Sequence, residues 1–173
     1  MRTENRRIRP DRQRNRSRKN RRQVNGMQHI RPATAEDLPR IAEIIVFNYR
    51  LNFYPIFQDD AFYFREMQVD RFSRALEECA GELRVYDDGV VKGVVQISGQ
   101  EIRRLFVEPV LQGQGLGAVL LEYAVREEKA RELWALEKNL RAISFYERHG
   151  FRRTEDRRLE EDTTEYLVRL EKA

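Results

Sequence analysis

Three glycines stand at alternate positions in residues 112–118, which follow an apolar segment and precede another. The first backbone N–H groups of a helix have no partner inside the helix and carry the positive end of its dipole, so they bind anions. Glycine lets the backbone approach such an anion without an intervening Cβ. Gly113, Gly115 and Gly117 therefore predict either a phosphate-binding loop or only a tight turn before a surface helix.

A strand and a helix are predicted on either side of this loop. Leu105 to Val107 read as the end of an apolar strand, and Pro109 stops that strand because proline cannot donate to a sheet ladder. The helix after the loop has apolar residues at helical spacing. These are Leu116, Val119, Leu120, Tyr123 and Ala124.

The remaining elements indicate an α/β protein in which strands and helices alternate irregularly. Predicted strands cover residues 28–32, 82–86, 90–98, 101–107, 132–136, 151–158 and 163–170. One helix begins after the N-cap residue Thr34, runs to about Asn48 and has an apolar face of Leu38, Ile41, Ile44 and Ile45. A second helix ends near Ala80, with Met67, Phe72 and Leu76 on its inner side, and a third runs from Leu140 to His149, with Gly150 as its cap.

Aromatic side chains are concentrated in residues 47–64, which hold eight of the sixteen Phe and Tyr residues of the chain. Some of these rings belong to the core. The excess, interrupted by Pro55 and by the pair Asp59-Asp60, predicts the wall of an apolar pocket with a polar rim, or else plain packing.

Charge divides the chain into a basic N-terminal segment and a mildly acidic remainder. Residues 1–26 hold ten arginines and one lysine against two acidic residues, a net charge of +9, and the remainder carries 22 basic and 27 acidic side chains, a net charge of −5. The segment 1–26 has too few apolar residues to offset its ordering entropy, so we expect a disordered tail and one domain over residues 27–173. Three interpretations of this tail are open: an arm that binds RNA or another polyanion, a solvated tail without a partner, or a translated leader upstream of the true start.

The cysteine count and the hydropathy of the sequence indicate the compartment in which we expect the protein. Cys79 is the only cysteine, which excludes an internal disulfide and is typical of a reducing compartment. No apolar run is long enough to span a membrane, and the basic N-terminus lacks the apolar core of a signal peptide. His29 and His149 lie far apart with no cysteine cluster near them. We therefore expect a cytoplasmic protein without a metal or a membrane partner, and nucleic acid as a partner only through the tail.

Two motifs resemble those of the GNAT superfamily of acetyl-CoA-dependent N-acetyltransferases. Residues 112–117, Q-G-Q-G-L-G, fit its pyrophosphate loop Q/R-x-x-G-x-G/A. Residues 139–151, N-L-R-A-I-S-F-Y-E-R-H-G-F, resemble its second motif N-x-x-A-x-x-F-Y-E-x-x-G-F. The resemblance covers residues 28–170. It implies a mixed, mostly antiparallel, V-shaped sheet with helices on both faces, and the order of the predicted elements matches that fold.

The resemblance implies acetyl-CoA as cosubstrate and assigns residues to its binding. The pyrophosphate loop comprises Gln112, Gly113, Gln114, Gly115, Leu116, Gly117 and Ala118. Leu105, Phe106 and Val107 are expected to pair with the pantetheine arm like an added strand, and a backbone N–H there to stabilise the thioester oxygen. Asn139 is expected to bind the pantetheine, to cap the helix that it opens, or to do both.

The resemblance also implies catalytic roles. Tyr146 matches the general acid that protonates the departing CoA thiolate at the cofactor site; the alternative is a core tyrosine. A phenol has a pKa of about 10 and a thiol about 8.5, so full proton transfer is uphill by about 2 kcal/mol and Tyr146 assists rather than determines the rate. Many members carry a glutamate base five residues before the asparagine, where this chain has Trp134. Glu101 matches the glutamate of the superfamily's histone acetyltransferases, so it is the candidate base or a solvated carboxylate; Glu137 is a weaker candidate.

These features predict an acyl-CoA-dependent N-acyltransferase. It transfers the acetyl group of acetyl-CoA directly to a primary amine of a small molecule or peptide that lies against residues 47–64. One rival is a GNAT-like protein that binds CoA without chemistry, as a sensor or interaction module. Another makes the basic tail primary and the protein an RNA- or ribosome-associated factor. The family resemblance also makes a homodimer possible.

Overall fold

A seven-stranded sheet organises the fold in our computed structural model, which describes residues 26–173. The strands are β1 (Ile30–Pro32), β2 (Leu83–Asp87), β3 (Val91–Ser98), β4 (Glu101–Val107), β5 (Glu132–Leu136), β6 (Phe151–Leu159) and β7 (Tyr166–Lys172). The α-helices are α1 (Leu38–Asn52), α2 (Tyr54–Phe57), α3 (Val69–Ala75), α4 (Leu116–Arg126) and α5 (Leu140–Arg148). Residues 1–25 of the expected tail, 1–26, lie outside the described residues, and its last residue, Gly26, is buried against Val119.

The sheet is mixed and mostly antiparallel, as predicted, in the order β1-β2-β3-β4-β5-β7-β6. The one parallel pair among the described strands is β4 with β5, and it is short. Only Glu101 with Glu132 and Ile102 with Leu133 are paired, after which the two strands separate. The remaining five residues of β4 therefore face an opening in the sheet, which gives it the V shape.

Helices cover both faces of the sheet, and each face has its own core. Helix α1 buries Ile41, Ile44 and Ile45, part of its predicted apolar face, in a cluster with Val85 and Val94. Helices α4 and α5 bury the opposite face in a second cluster, whose members include Val95, Leu120, Leu133, Ile143 and Leu170.

Gly93 of β3 allows helix α4 to lie close to the sheet. A Cβ added at this glycine would stand 2.9 Å from Cδ1 of Leu120, a distance at which something must shift. The close approach of α4 to β3 positions the first turn of the helix beside the end of β4.

Element boundaries differ from the predictions where side chains compete with regular structure. Residues Ala35–Asp37 form a short 3₁₀ turn, so α1 begins only at Leu38 and continues to Asn52. The predicted second helix is α3 followed by a 3₁₀ segment, Leu76–Glu82. Strand β7 begins at Tyr166 rather than at residue 163, because Thr163 Oγ1 donates to Glu160 O and accepts from the Glu165 amide, which stabilises a turn.

A partly buried ion-pair cluster joins the first strand to its neighbours. The Arg31 guanidinium donates to Asp37 at 2.7 Å and to Asp87 at 2.7 Å, which links β1 to the 3₁₀ turn and to β2. The hydrogen bonds that Asp37 accepts from Arg31 and Thr34 lower the pKa of Asp37 to about 2.

Within residues 26–173 no helix has the length and apolar character needed to cross a membrane.

Candidate active site

The glycine loop ends in an uncapped helix N-terminus. Gly113 and Gly115 have φ values of +79° and +94°, in the left-handed region that favours glycine, and α4 begins directly after them at Leu116. Within the described part of the chain, no side chain accepts a hydrogen bond from the amides of residues 113–118. The first amides of α4 therefore face outward without a protein partner, as an anion-binding loop requires.

Packing places this loop over the end of β4. A Cβ built on Gly117 would lie 3.7 Å from both Leu105 and Val107 and 3.6 Å from the Phe145 ring, which is ordinary contact distance. A Cβ built on Gly113 or Gly115 meets no atom of residues 26–173 within 4 Å. The loop is thus open on its outer side, while its inner side rests on β4 and α5.

The free edge of β4 faces the opening in the sheet. The Glu108 amide donates to Lys92 O on β3 at 2.8 Å. Because backbone groups alternate sides along a strand, Leu105 and Val107 point their N–H and C=O groups toward the opening, whereas those of Phe106 point toward β3. Of the three residues predicted to pair with pantetheine, Leu105 and Val107 therefore present N–H groups there, while the Val107 carbonyl already accepts hydrogen bonds from Asn48 and Gln112. Phe106 contributes its ring to the face covered by α1.

Asn139 is the N-cap of α5, one of its two predicted roles. Its Oδ1 accepts a hydrogen bond from the Ala142 amide at 3.1 Å. The cap uses the side-chain oxygen and leaves the NH₂ group for a ligand, so pantetheine binding stays a prediction.

Tyr146 lies on α5 six residues after Leu140, the first residue of the helix. Its ring packs against Phe145 and Phe151, with centroid distances of 5.2 and 5.8 Å, and 9% of the residue is exposed. Burial raises the pKa of the Tyr146 phenol, and no hydrogen bond within the described part of the chain offsets that rise. Both predicted roles are compatible with this position, but the higher pKa makes the phenol a hydrogen-bond donor that keeps its proton.

The two candidate bases have different surroundings. Glu101 lies at the start of β4, before the strands separate, with its carboxylate 3.4 Å from Arg103 Nε and 19% of its side chain exposed. Glu137 pairs with both Arg153 and Arg157, whose hydrogen bonds lower the pKa of the Glu137 carboxyl. The two guanidinium groups make Glu137 a poor proton acceptor.

Trp134 is the first residue of β5 beyond its pairing with β4. Its neighbours Leu133 and Ala135 are buried with α4 and α5, so Trp134 points to the opposite face of the sheet. The Arg158 guanidinium carbon lies 4.2 Å from the centroid of the Trp134 ring, a cation–π contact. An indole with a stacked cation thus occupies the position where the family resemblance implies a glutamate in many members.

The aromatic segment divides into a core part and an exposed part. Tyr63 is buried with Val46 and Met67, and burial raises the pKa of the Tyr63 phenol to about 12. The rings of Tyr49 and Phe53 pack against the Phe106 ring on β4, at centroid distances of 5.7 and 6.4 Å. Other apolar side chains of the segment stay on the surface: Phe47, Leu51, Phe62 and Phe64. The segment lines the α1 side of the opening, but packing accounts for part of its aromatic excess.

Sequence reasoning missed a buried amide behind the loop. Asn48, on the last turns of α1, is 1% exposed and donates to the Val107 carbonyl at 2.9 Å. Its Oδ1 accepts from Gln112 Nε2 at 2.9 Å. A polar residue four positions after Ile44 on an apolar helix face was the signal that would have identified it.

Other parts of the described chain add no chemistry to this site. Residues 26–173 contain no group of three or more potential metal ligands. A hollow lined by Arg126, Arg148 and His149 lies at the far end of α4, about 15 Å along the helix from the loop. Cys79 is half-buried on the 3₁₀ segment and belongs to neither motif.

Comparisons with known proteins agree with this geometry. Residues 77–153 match the family model described as an acetyltransferase (GNAT) domain. An uncharacterised N-acetyltransferase of Archaeoglobus fulgidus is 32% identical over 144 residues, which are 73% of this chain and 94% of that protein. The peptidyl-lysine N-acetyltransferase YjaB of Salmonella typhimurium is 31% identical over 70 residues, 40% of this chain and 48% of the relative, so the match spans about half of YjaB.

A solved structure shares the fold. The PaiA N-acetyltransferase of Thermoplasma acidophilum, crystallised in complex with coenzyme A, superposes with a TM-score of 0.58. It is 17% identical, and the match covers 81% of this chain and 96% of that chain.

Proposed function

The chain belongs to the GNAT family of N-acetyltransferases, and from that premise we propose that it transfers the acetyl group of acetyl-CoA directly to a primary amine of a small molecule or peptide. One observation carries the proposal: an uncapped helix N-terminus lies at the end of a strand whose free edge faces an opening in the sheet. The related PaiA structure, which holds coenzyme A, supports an acyl-CoA cosubstrate.

In the proposed complex, the amides at the start of α4 bind the cofactor diphosphate, while the free edge of β4 binds the pantetheine arm. Leu105 and Val107 supply backbone N–H groups toward the opening, and one of them donates to the thioester oxygen. Asn139 supplies its NH₂ group from the opposite side of the opening. Such positioning, with stabilisation of the oxyanion, supplies most of the acceleration.

The acceptor amine attacks the thioester carbon, the C–S bond breaks, and the sulfur leaves as the CoA thiolate. Tyr146 donates a hydrogen bond to that sulfur from its buried phenol. Because the raised pKa of Tyr146 disfavours the phenolate, the thiolate takes its final proton from solvent and the phenol keeps its own.

The attacking amine must lose protons. A lysine-like ammonium with a pKa near 10.4 is neutral at pH 7 only at a cost of about 4–5 kcal/mol. We assign the proton to Glu101 through water, because Glu101 lies on β4 just before the strands separate. Its side chain lies on the α1 face of the sheet, the face to which Trp134 points.

The acceptor lies against the aromatic wall of Tyr49, Phe53 and Phe106 on one side and Trp134 on the other. These rings suit the aliphatic stem of a lysine side chain or of an apolar amine. The name of the Salmonella relative, a peptidyl-lysine N-acetyltransferase, supports a peptide acceptor in particular.

The test is release of CoA thiol from acetyl-CoA in the presence of candidate acceptors. We expect thiol release that depends on the acceptor, and mass spectrometry should find one acetyl group on it. Binding of acetyl-CoA without thiol release in the presence of any lysine peptide or small amine would favour the silent sensor instead. The presence of Trp134 in place of the strand glutamate leaves that alternative open. Absence of acetyl-CoA binding would refute both.

A further inference from the structure

A chain of hydrogen bonds crosses the mouth of the opening between β4 and β5. It begins at Asn48, whose Nδ2 donates to Ile44 O at 2.8 Å and to Val107 O at 2.9 Å. Gln112 Nε2 donates to Asn48 Oδ1 at 2.9 Å and to Val107 O at 3.2 Å. The first residue of the glycine loop is thereby fixed to α1 and to the end of β4.

The chain ends on the other side of the opening, at Arg141. One NH₂ group of the Arg141 guanidinium donates to Gln112 Oε1 at 2.7 Å. Arg141 is in the first turn of α5, which follows β5, whereas Gln112 follows β4. This hydrogen bond therefore joins the two halves of the molecule next to the uncapped amides of α4.

Arg141 is a cation without an anion in the described structure. None of the ion pairs within residues 26–173 includes Arg141, and its hydrogen-bond partner Gln112 is a neutral amide. A guanidinium binds a phosphate group more strongly than a neutral amide, because the bonds are charge-assisted and its planar donors fit two phosphate oxygens. The position beside the loop thus offers Arg141 a better partner when a diphosphate is present.

We propose that Arg141 binds the diphosphate of the acyl-CoA cosubstrate, exchanging its hydrogen bond with Gln112 for the phosphate oxygens. The proposal rests on the proposed function, since it needs the cofactor to occupy the glycine loop. The anchored Gln112 holds Arg141 at the mouth of the opening before the cofactor arrives. Arg141 then contacts the diphosphate from its position beside the α4 amides.

Isothermal titration of four proteins with two ligands tests the proposal. The proteins are the wild type, Arg141→Ala, Arg141→Lys and, as a matched control, Arg148→Ala at the other end of the same helix. The ligands are CoA and pantetheine, which lacks the diphosphate. We expect Arg141→Ala to bind CoA about 10- to 100-fold more weakly, the loss typical of a hydrogen bond to a charged group. The CoA affinity of Arg141→Lys should lie between those of the wild type and Arg141→Ala, because lysine keeps the positive charge but lacks the planar guanidinium that can donate to two phosphate oxygens.

Pantetheine separates a phosphate contact from a structural one. We expect Arg141→Ala to bind pantetheine as the wild type does, and Arg148→Ala to match the wild type with both ligands. Equal CoA affinities of Arg141→Ala and Arg148→Ala would overturn the proposal while leaving the enzyme assignment intact. Equal losses for CoA and pantetheine would also overturn it, because Arg141 would then shape the opening only. Failure of the wild type to bind CoA would instead refute the proposed function.

Discussion

Substitution of Gly115 by glutamate tests the anion-binding loop. Gly115 has φ +94°, and an ideal Cβ there meets no atom of the described residues within 4 Å, so the new side chain would project away from them. Gly89, in the turn between β2 and β3, has φ +117° and equally open surroundings. Gly89→Glu is therefore a control with the same added charge and a comparable backbone strain, far from the loop in sequence.

The two variants should lose similar stability but differ in ligand binding. A side chain in the left-handed region costs about 1–2 kcal/mol, which for a chain of this size lowers Tm by about 2–8 °C in both proteins. At about 5 Å and an effective dielectric constant near 20, two like unit charges repel by about 3 kcal/mol. Repulsion between the new carboxylate of Gly115→Glu and a bound diphosphate should then weaken binding by more than about 100-fold.

Thermal unfolding and calorimetric titration with acetyl-CoA measure the two quantities separately. We expect similar Tm values for the two variants, with acetyl-CoA bound by Gly89→Glu as by the wild type and not measurably by Gly115→Glu. A folded Gly115→Glu protein with the affinity of the wild type would refute the placement of the diphosphate at the start of α4.

Four other substitutions probe the catalytic groups and the fold. Tyr146→Phe should lower kcat about 10- to 100-fold, with the KM for acetyl-CoA unchanged in thiol-release assays, because only the departing sulfur loses a donor; an unchanged kcat would remove that role. Glu101→Gln should lower kcat/KM for the amine about 100-fold and alter the pH–rate profile; a profile identical to that of the wild type would argue against proton transfer through Glu101. Asp37→Asn should lower the free energy of unfolding by about 1–2 kcal/mol at pH 7. The pKa of Asp37 is lower in the folded protein than its value near 3.8 in the unfolded chain, so the ionised carboxylate stabilises the fold at pH values above 3.8. That difference in stability between the variant and the wild type should disappear as the pH falls from 4 to 2. Urea titrations of both proteins at pH 4 and pH 2 measure it, and an equal difference at the two pH values would contradict this role of the Asp37 carboxylate. Leu120→Ala should cost about 2–5 kcal/mol, since Leu120 is fully buried between α4 and β3, and a loss below 1 kcal/mol would contradict that packing.

Local sequence patterns were sufficient to predict the position of the glycine loop and of most helices and strands. The alternate glycines and the apolar spacing from Leu116 onward predict the strand–loop–helix unit, because both depend on residues close together in the chain. The apolar face of α1 follows from its period in the same way. The end of α1 at Asn52 was missed, since no glycine or proline marks a stop at the predicted end, Asn48.

Long-range contacts account for what the sequence did not reveal. The hydrogen bond between Gln112 and Arg141 joins residues 29 positions apart, and Asn48 reaches Val107 across 59 positions. No local pattern encodes either contact. The division of the aromatic segment into core and surface likewise depends on which rings meet β4. The cation–π contact between Arg158 and Trp134 depends on the pairing of β5, β7 and β6.

The most direct test of the central idea is the set of backbone amide shifts on addition of acetyl-CoA to ¹⁵N-labelled protein. If the start of α4 binds the diphosphate and the free edge of β4 binds the pantetheine arm, the largest shifts will fall on residues 113–118 and on Leu105 and Val107. The Phe106 amide, which faces β3, will shift less than both of its neighbours. Large shifts confined to other parts of the chain, with residues 113–118 unchanged, would contradict the account.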